Sequence, residues 1–151
     1  MTAPATAPVR IGVVGTGSLG YHHARILRDV PGVAFRGFFE ANPERAGVVQ
    51  RELGVRAYAT LDALLDDVDA VSVVVPTSRH HEVAMAALAK GKHLLIEKPI
   101  TVTLAEADEL LALAERNGCA SWACAISARP GSVCTGSFSK VPRLATAIAT
   151  K

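Results

Sequence analysis

Residues 9–28 read VRIGVVGTGSLGYHHARILR, and no other stretch restricts the fold as much. A β-branched apolar run meets three glycines and then changes to helical periodicity. The glycines are spaced G-x-G-x-x-G, as Gly15-Thr16-Gly17-Ser18-Leu19-Gly20. The spacing alone is weak evidence. It becomes informative when a strand precedes it, a helix follows it and an acid lies about 20 residues on, so the rest of the chain has to be read for that context.

Residues 9–14 are expected to form a buried strand, and the stretch from Ser18 a helix with Leu19, His22 or His23, Ile26 and Leu27 at helical spacing. DVPG at 29–32 ends that helix. A second strand over 33–39 closes at Glu40, and Asn42-Pro43 opens a helix that Gly54 stops. A third strand is expected over 55–58, followed by a short helix capped by Thr60. The run 70–75 (AVSVVV) has no polar alternation, as in a strand covered on both faces. A helix over 79–90 stopped by Gly91, a strand over 92–96 and a helix from 104, opened by the Thr103/Glu106 capping box and stopped by Gly118, complete the series. Strands alternate with helices over short connections. This predicts an α/β fold: a doubly wound parallel sheet with helices on both faces.

In that context the glycines read as a dinucleotide fingerprint. Gly15 permits the tight turn, Gly17 lets the backbone approach a pyrophosphate, and Gly20 allows close packing of helix on strand. Thr16, Ser18 and Leu19 complete the loop at the helix N-terminus, where an anion is stabilised. Glu40, 20 residues past Gly20, is placed to accept hydrogen bonds from the adenosine ribose. A carboxylate there repels a 2′-phosphate and favours NAD, and the nearby Arg45 leaves NADP open. S-adenosylmethionine also uses a glycine-rich first loop, but the full three-glycine spacing argues against it.

A second constellation lies at two later strand ends: Pro76-Thr77-Ser78-Arg79-His80-His81 and Glu97-Lys98-Pro99. In an open parallel sheet these face the same crevice as the glycine loop. A lysine there, drawn out of water, would have a lowered pKa and exchange a proton while hydride moves. Taken singly, such a lysine is more often a solvated charge, and His80 and His81 surface or packing residues.

Together, IGVVGTGSLGYHHARIL, FFEANPER, VVVPTSRHHEVAMAALAKGKHLLIEKPI and LAEADELLALAERNG resemble the N-terminal half of the Gfo/Idh/MocA oxidoreductases over residues 9–118. The resemblance implies a Rossmann domain that binds NAD(P), with Lys98 as the catalytic residue at the nicotinamide ribose. It implies that Pro76, Thr77, His80, Glu97 and Lys98 line the cofactor cleft. Sugars, polyols or nucleotide sugars are the implied substrates.

The remainder departs from that pattern. Residues 1–8 read as a disordered leader. Residues 116–151 contain five basic residues, no acid, all three cysteines and the single tryptophan. Residues 1–115 hold 11 basic and 14 acidic residues, so the overall charge of +2 belongs to the tail. The tail replaces the second domain that the resemblance calls for, and a shifted reading frame or similar truncation is the favoured account. CASWACAI at 119–126 is a candidate edge strand, and the rest is expected to be poorly ordered. Cys119, Cys124 and Cys134 match no zinc spacing, so no metal site is expected. The few aromatics and the absence of a basic cluster exclude a nucleic-acid reading. No apolar run is long enough to cross a membrane, and no leader reads as a secretory signal, so a cytoplasmic location is expected. Oligomeric state is left open. Two functions follow: a dehydrogenase that needs a second domain for its sugar-like substrate, or a non-catalytic dinucleotide-binding module.

Overall fold

The computed structural model describes residues 7–119 and the backbone of 121–124. Six parallel strands form one sheet in the order β3-β2-β1-β4-β5-β6. They are β1 (Val9–Val14), β2 (Val33–Phe39), β3 (Ala57–Tyr58), β4 (Ala70–Val73), β5 (His93–Glu97) and β6 (Ser121–Cys124). Between them run α1 (Ser18–Arg28), α2 (Pro43–Leu53), α3 (Leu61–Asp67), α4 (His80–Ala89) and α5 (Leu104–Arg116).

Local chemistry sets the helix ends. Asn42 accepts from the backbone N–H groups of Glu44 and Arg45 and precedes Pro43, while Gly54 closes α2 in the left-handed region. Thr60 caps α3 through Ala63 N–H. Thr103 and Glu106 form a reciprocal capping box on α5. Each such cap contributes about 1 kcal/mol.

Two apolar layers sandwich the sheet. On one face, Ala24 and Leu27 of α1 and Val49 and Leu53 of α2 pack on Ile11, Val13, Phe38 and Ala70. On the other, α3, α4 and α5 bury Leu64, Leu65, Ala84, Leu88 and Leu110 against Val71, Val73, Leu94 and Ile96. Alternate residues of β4 thus face opposite layers, which is why AVSVVV lacks polar alternation.

Register then determines where the site lies. Val14 stands opposite Phe39 and Val73, and Val73 opposite Ile96. Gly15, Glu40, Val74 and Glu97-Lys98 therefore leave the sheet at one level, along its carboxyl edge. The strand order reverses between β1 and β4, which opens the crevice there. The predicted third strand is shorter than expected, and β4 ends at Val73, one residue after which Val74 N–H still donates to Val14 O at 2.8 Å. β6 occupies the sheet edge beside β5. The expectations for residues 1–6 and 125–151, including Cys134, lie outside the described residues. No helix among the described residues is long and apolar enough to cross a membrane.

Candidate functional site

A cleft of about 450 Å³ opens along the carboxyl edge of the sheet. Of the residues singled out from the sequence, Gly15, Gly17, Ser18, Leu19, Glu40, Pro76, Thr77, His80, Glu97 and Lys98 line it. Thr16 and Gly20, both buried, do not line it. Phe39, Leu61, Arg79 and Val83 join the lining without having been anticipated.

The glycine loop is shaped by close approaches. Gly15 has φ +86°, and a Cβ there would stand 2.8 Å from Val74 O. A Cβ on Gly20 would fall 1.9 Å from Gly15 O, so α1 can start this close to the loop only without a side chain. At Gly17 a Cβ would meet nothing within 4 Å, so that position opens onto the cleft. Gly17 is also the N-cap of α1, with no side-chain cap and no acid in the first turn. α2, α3 and α5 all have side-chain caps. The first N–H groups of α1 are thus left to an outside acceptor, and the helix dipole favours an anion there.

Glu40 is fixed by the same loop. Thr16, fully buried, donates to Glu40 Oε2 from its backbone N–H at 2.7 Å and from Oγ1 at 3.1 Å. Asn42 N–H donates to Oε1 at 3.0 Å. Arg45 Nε donates to Thr16 O at 2.8 Å, and its guanidinium lies 5.6 Å from the Tyr21 ring centroid. The arginine is therefore anchored beside the end of β2.

At the other end, His80 is 1% exposed and bridges two loops. Its Nε2 is 2.8 Å from Val75 O, and its Nδ1 is 2.9 Å from Pro99 O and 3.1 Å from Ile100 O. The Lys98–Pro99 peptide is cis. Lys98 itself is exposed at the cleft.

Behind Glu97 lies a polar chain that sequence reasoning missed. His23 Nδ1 is 2.8 Å from Ser72 Oγ, and His23 Nε2 is 3.0 Å from Glu97 Oε1. The His23 and Glu97 side chains are only 15% and 8% exposed. Glu97 Oε1 is buried, and the group beside it is the His23 imidazole. Burial pushes the His23 imidazole below its usual pKa, and the attraction of Glu97 only partly opposes this. The available signals were Ser72, a lone polar residue in an apolar strand, and His23 on the inner side of α1. No group of His, Cys, Asp and Glu among the described residues is arranged to hold a metal.

This geometry agrees with comparisons to known proteins. Residues 9–124 match the Gfo/Idh/MocA family model, described as an oxidoreductase family with an NAD-binding Rossmann fold. The chain belongs to that family, and the matched residues are its NAD-binding Rossmann domain. Over 107 residues it is 48% identical to the UDP-N-acetylglucosamine 3-dehydrogenase of Acidithiobacillus ferrooxidans, covering 71% of this chain and 34% of that protein. The crystal structure of that enzyme aligns with a TM-score of 0.72 at 43% identity, over 77% of this chain and 37% of the other. The NAD-dependent scyllo-inositol 2-dehydrogenase of Bacillus subtilis is 38% identical over 102 residues, covering 65% of this chain and 30% of that enzyme. A biliverdin reductase from Synechocystis, solved with biliverdin and NADP+, aligns with a TM-score of 0.72 at 30% identity, over 77% of this chain and 37% of the other. The chain spans about a third of the length of the curated relatives it matches.

Proposed function

We propose that this cleft binds NAD in preference to NADP and forms the cofactor half of a dehydrogenase acting on a sugar, polyol or nucleotide sugar. One observation carries the reading: the glycine loop, Glu40 and the Glu97-Lys98 strand end open onto the same cleft at the strand-order reversal. The residues fit a dinucleotide. Gly17 leaves room beside the uncapped N-terminus of α1 for a pyrophosphate. Glu40 is held in place by Thr16 and Asn42, and its Oε1, which accepts only from Asn42, keeps a lone pair for a ribose hydroxyl. Its charge disfavours a 2′-phosphate, and Arg45 is already engaged with Thr16 O.

Bound NAD supplies the hydride acceptor. Lys98, at the β5 end, is the candidate group for holding the nicotinamide ribose and exchanging the proton of a substrate carbinol. His80 keeps the Lys98 segment against the end of β4. The sugar-like substrate is inferred from the relatives and requires a second domain to complete its pocket. Calorimetric titration with NAD and NADP tests the reading. Saturable binding with NAD at least about tenfold tighter is expected from one unfavourable charge contact. Equal affinities would remove Glu40 from its ribose role, and no binding of either would overturn the site.

A further inference from the structure

Two carboxylates border the cleft, Glu40 at the end of β2 and Glu97 at the end of β5. Three strand spacings separate them, through β1 and β4, which is about 14 Å. A doubly wound sheet binds one mononucleotide over each half. With the adenosine ribose at Glu40, the nicotinamide half falls over β4 and β5, at Glu97. This argument rests on the reading of the cleft as a dinucleotide site.

Glu97 is a buried carboxylate whose partner is an imidazole, with His23 Nε2 3.0 Å from its Oε1. Ser72 Oγ is 2.8 Å from His23 Nδ1 and fixes the ring. In the neutral tautomer that suits both neighbours, Ser72 donates to Nδ1 and Nε2–H points toward Glu97. Glu97 is then oriented without being cancelled. The nicotinamide ring is cationic in NAD+ and neutral in NADH, so a fixed negative charge at that end distinguishes the two.

We propose that Glu97, positioned by His23 and Ser72, is the specificity-determining group that shifts the cleft's preference toward the oxidised nicotinamide. Ser72 and His23 act through Glu97. Protonating His23 sets a positive charge against Glu97 and weakens the preference. The groups facing His23 among the described residues are Glu97 from β5, Ser72 from β4 and its neighbour His22 on α1. Burial favours the neutral ring, so the preference is expected to hold near neutral pH.

The test measures dissociation constants of the 151-residue chain for NAD+ and NADH separately by calorimetry. Glu97→Gln should move the NADH-to-NAD+ ratio of dissociation constants toward NADH by about tenfold or more. A residue with a purely structural role would weaken both cofactors equally, and that result, or an unchanged ratio, overturns the inference. The wild-type chain gives a second measurement that needs no substitution. Its ratio should drift toward NADH as pH is lowered across the His23 titration, followed by imidazole nitrogen shifts, and a constant ratio there also overturns it. If the wild type binds neither cofactor, the reading of the cleft falls and the inference with it. If it binds both with an unaltered ratio, only the inference falls.

Discussion

Thr16 and Glu40 are joined twice, from the threonine N–H at 2.7 Å and its hydroxyl at 3.1 Å, both to Glu40 Oε2. The pair ties the loop after β1 to the end of β2, so the groups assigned to the pyrophosphate and to the ribose hold each other in place. Glu40 thus has two roles, one in the fold and one toward the cofactor, and substitutions separate them.

Glu40→Ala leaves the buried Thr16 N–H and hydroxyl without their acceptor. A loss of about 1–3 kcal/mol in unfolding free energy is expected. Glu40→Gln keeps an acceptor and should recover most of that stability while narrowing the preference for NAD over NADP. Urea denaturation and cofactor titration of the two variants read these effects separately. An Ala variant with wild-type NAD affinity would contradict the ribose assignment.

Gly17 and Gly20 make opposite predictions. Gly20→Ala places a Cβ 1.9 Å from Gly15 O, so α1 must shift, and the variant should unfold at clearly lower denaturant. Gly17→Ala meets no atom of the protein, and its stability should stay within about 0.5 kcal/mol of wild type. Its methyl group occupies the space proposed for the pyrophosphate, so NAD affinity should fall by about tenfold or more, as for overpacking of a fitted contact. Loss of stability in Gly17→Ala without loss of affinity would reverse the assignment.

The alternation of strands and helices was legible because each element carries its own local signal. Thr60, Asn42, Gly54 and the Thr103/Glu106 pair mark helix ends in sequence and do so in the structure. Most of the cleft followed from the rule that such sheets bind ligands at their carboxyl edge. Val74 and Val75 were read as strand because they are apolar, yet they line the cleft instead. The His23–Ser72–Glu97 chain was not legible. Its members are far apart in sequence, and only the pairing of β4 with β5 beneath α1 brings them together. The exposure of Lys98 was equally hidden, since a strand-end position does not reveal what covers it.

His23 also makes stability depend on pH. Burial lowers its folded pKa below the unfolded value near 6.5. Above about 6.5 both states carry the neutral ring, and the full stability is present. As pH falls from there toward the folded pKa, the unfolded chain takes up the proton first, so stability is lost across that interval. His23→Gln removes this contribution. Urea midpoints measured from pH 8 to pH 5 should therefore fall more steeply for wild type than for the variant. Parallel curves would show that His23 titrates alike in both states.

Lys98 is exposed, so its removal should cost the fold little. Lys98→Ala is expected to stay within about 0.5 kcal/mol of wild-type stability. If Lys98 holds the nicotinamide ribose, NAD affinity should drop by about tenfold or more, as for one lost hydrogen bond to a charged group, about 1.5–3 kcal/mol. Unchanged affinity for both NAD+ and NADH would take the lysine out of cofactor binding.

His80 joins the end of β4 to the segment after Lys98 through the carbonyl oxygens of Val75, Pro99 and Ile100. All three partners are acceptors, so a ring with one N–H hydrogen-bonds only one side of this bridge, and both sides are bonded only when both nitrogens carry a proton. His80→Phe keeps the ring volume and removes both nitrogens. The freed carbonyls and the buried edge of the ring should cost about 1–3 kcal/mol. The Lys98 segment would then lose its tie to β4, so NAD affinity should fall together with stability, whereas Lys98→Ala lowers affinity alone. Thermal unfolding with and without NAD distinguishes the two cases. A His80→Phe chain as stable as wild type, with unaltered affinity, would show that the bridge is incidental to the cleft.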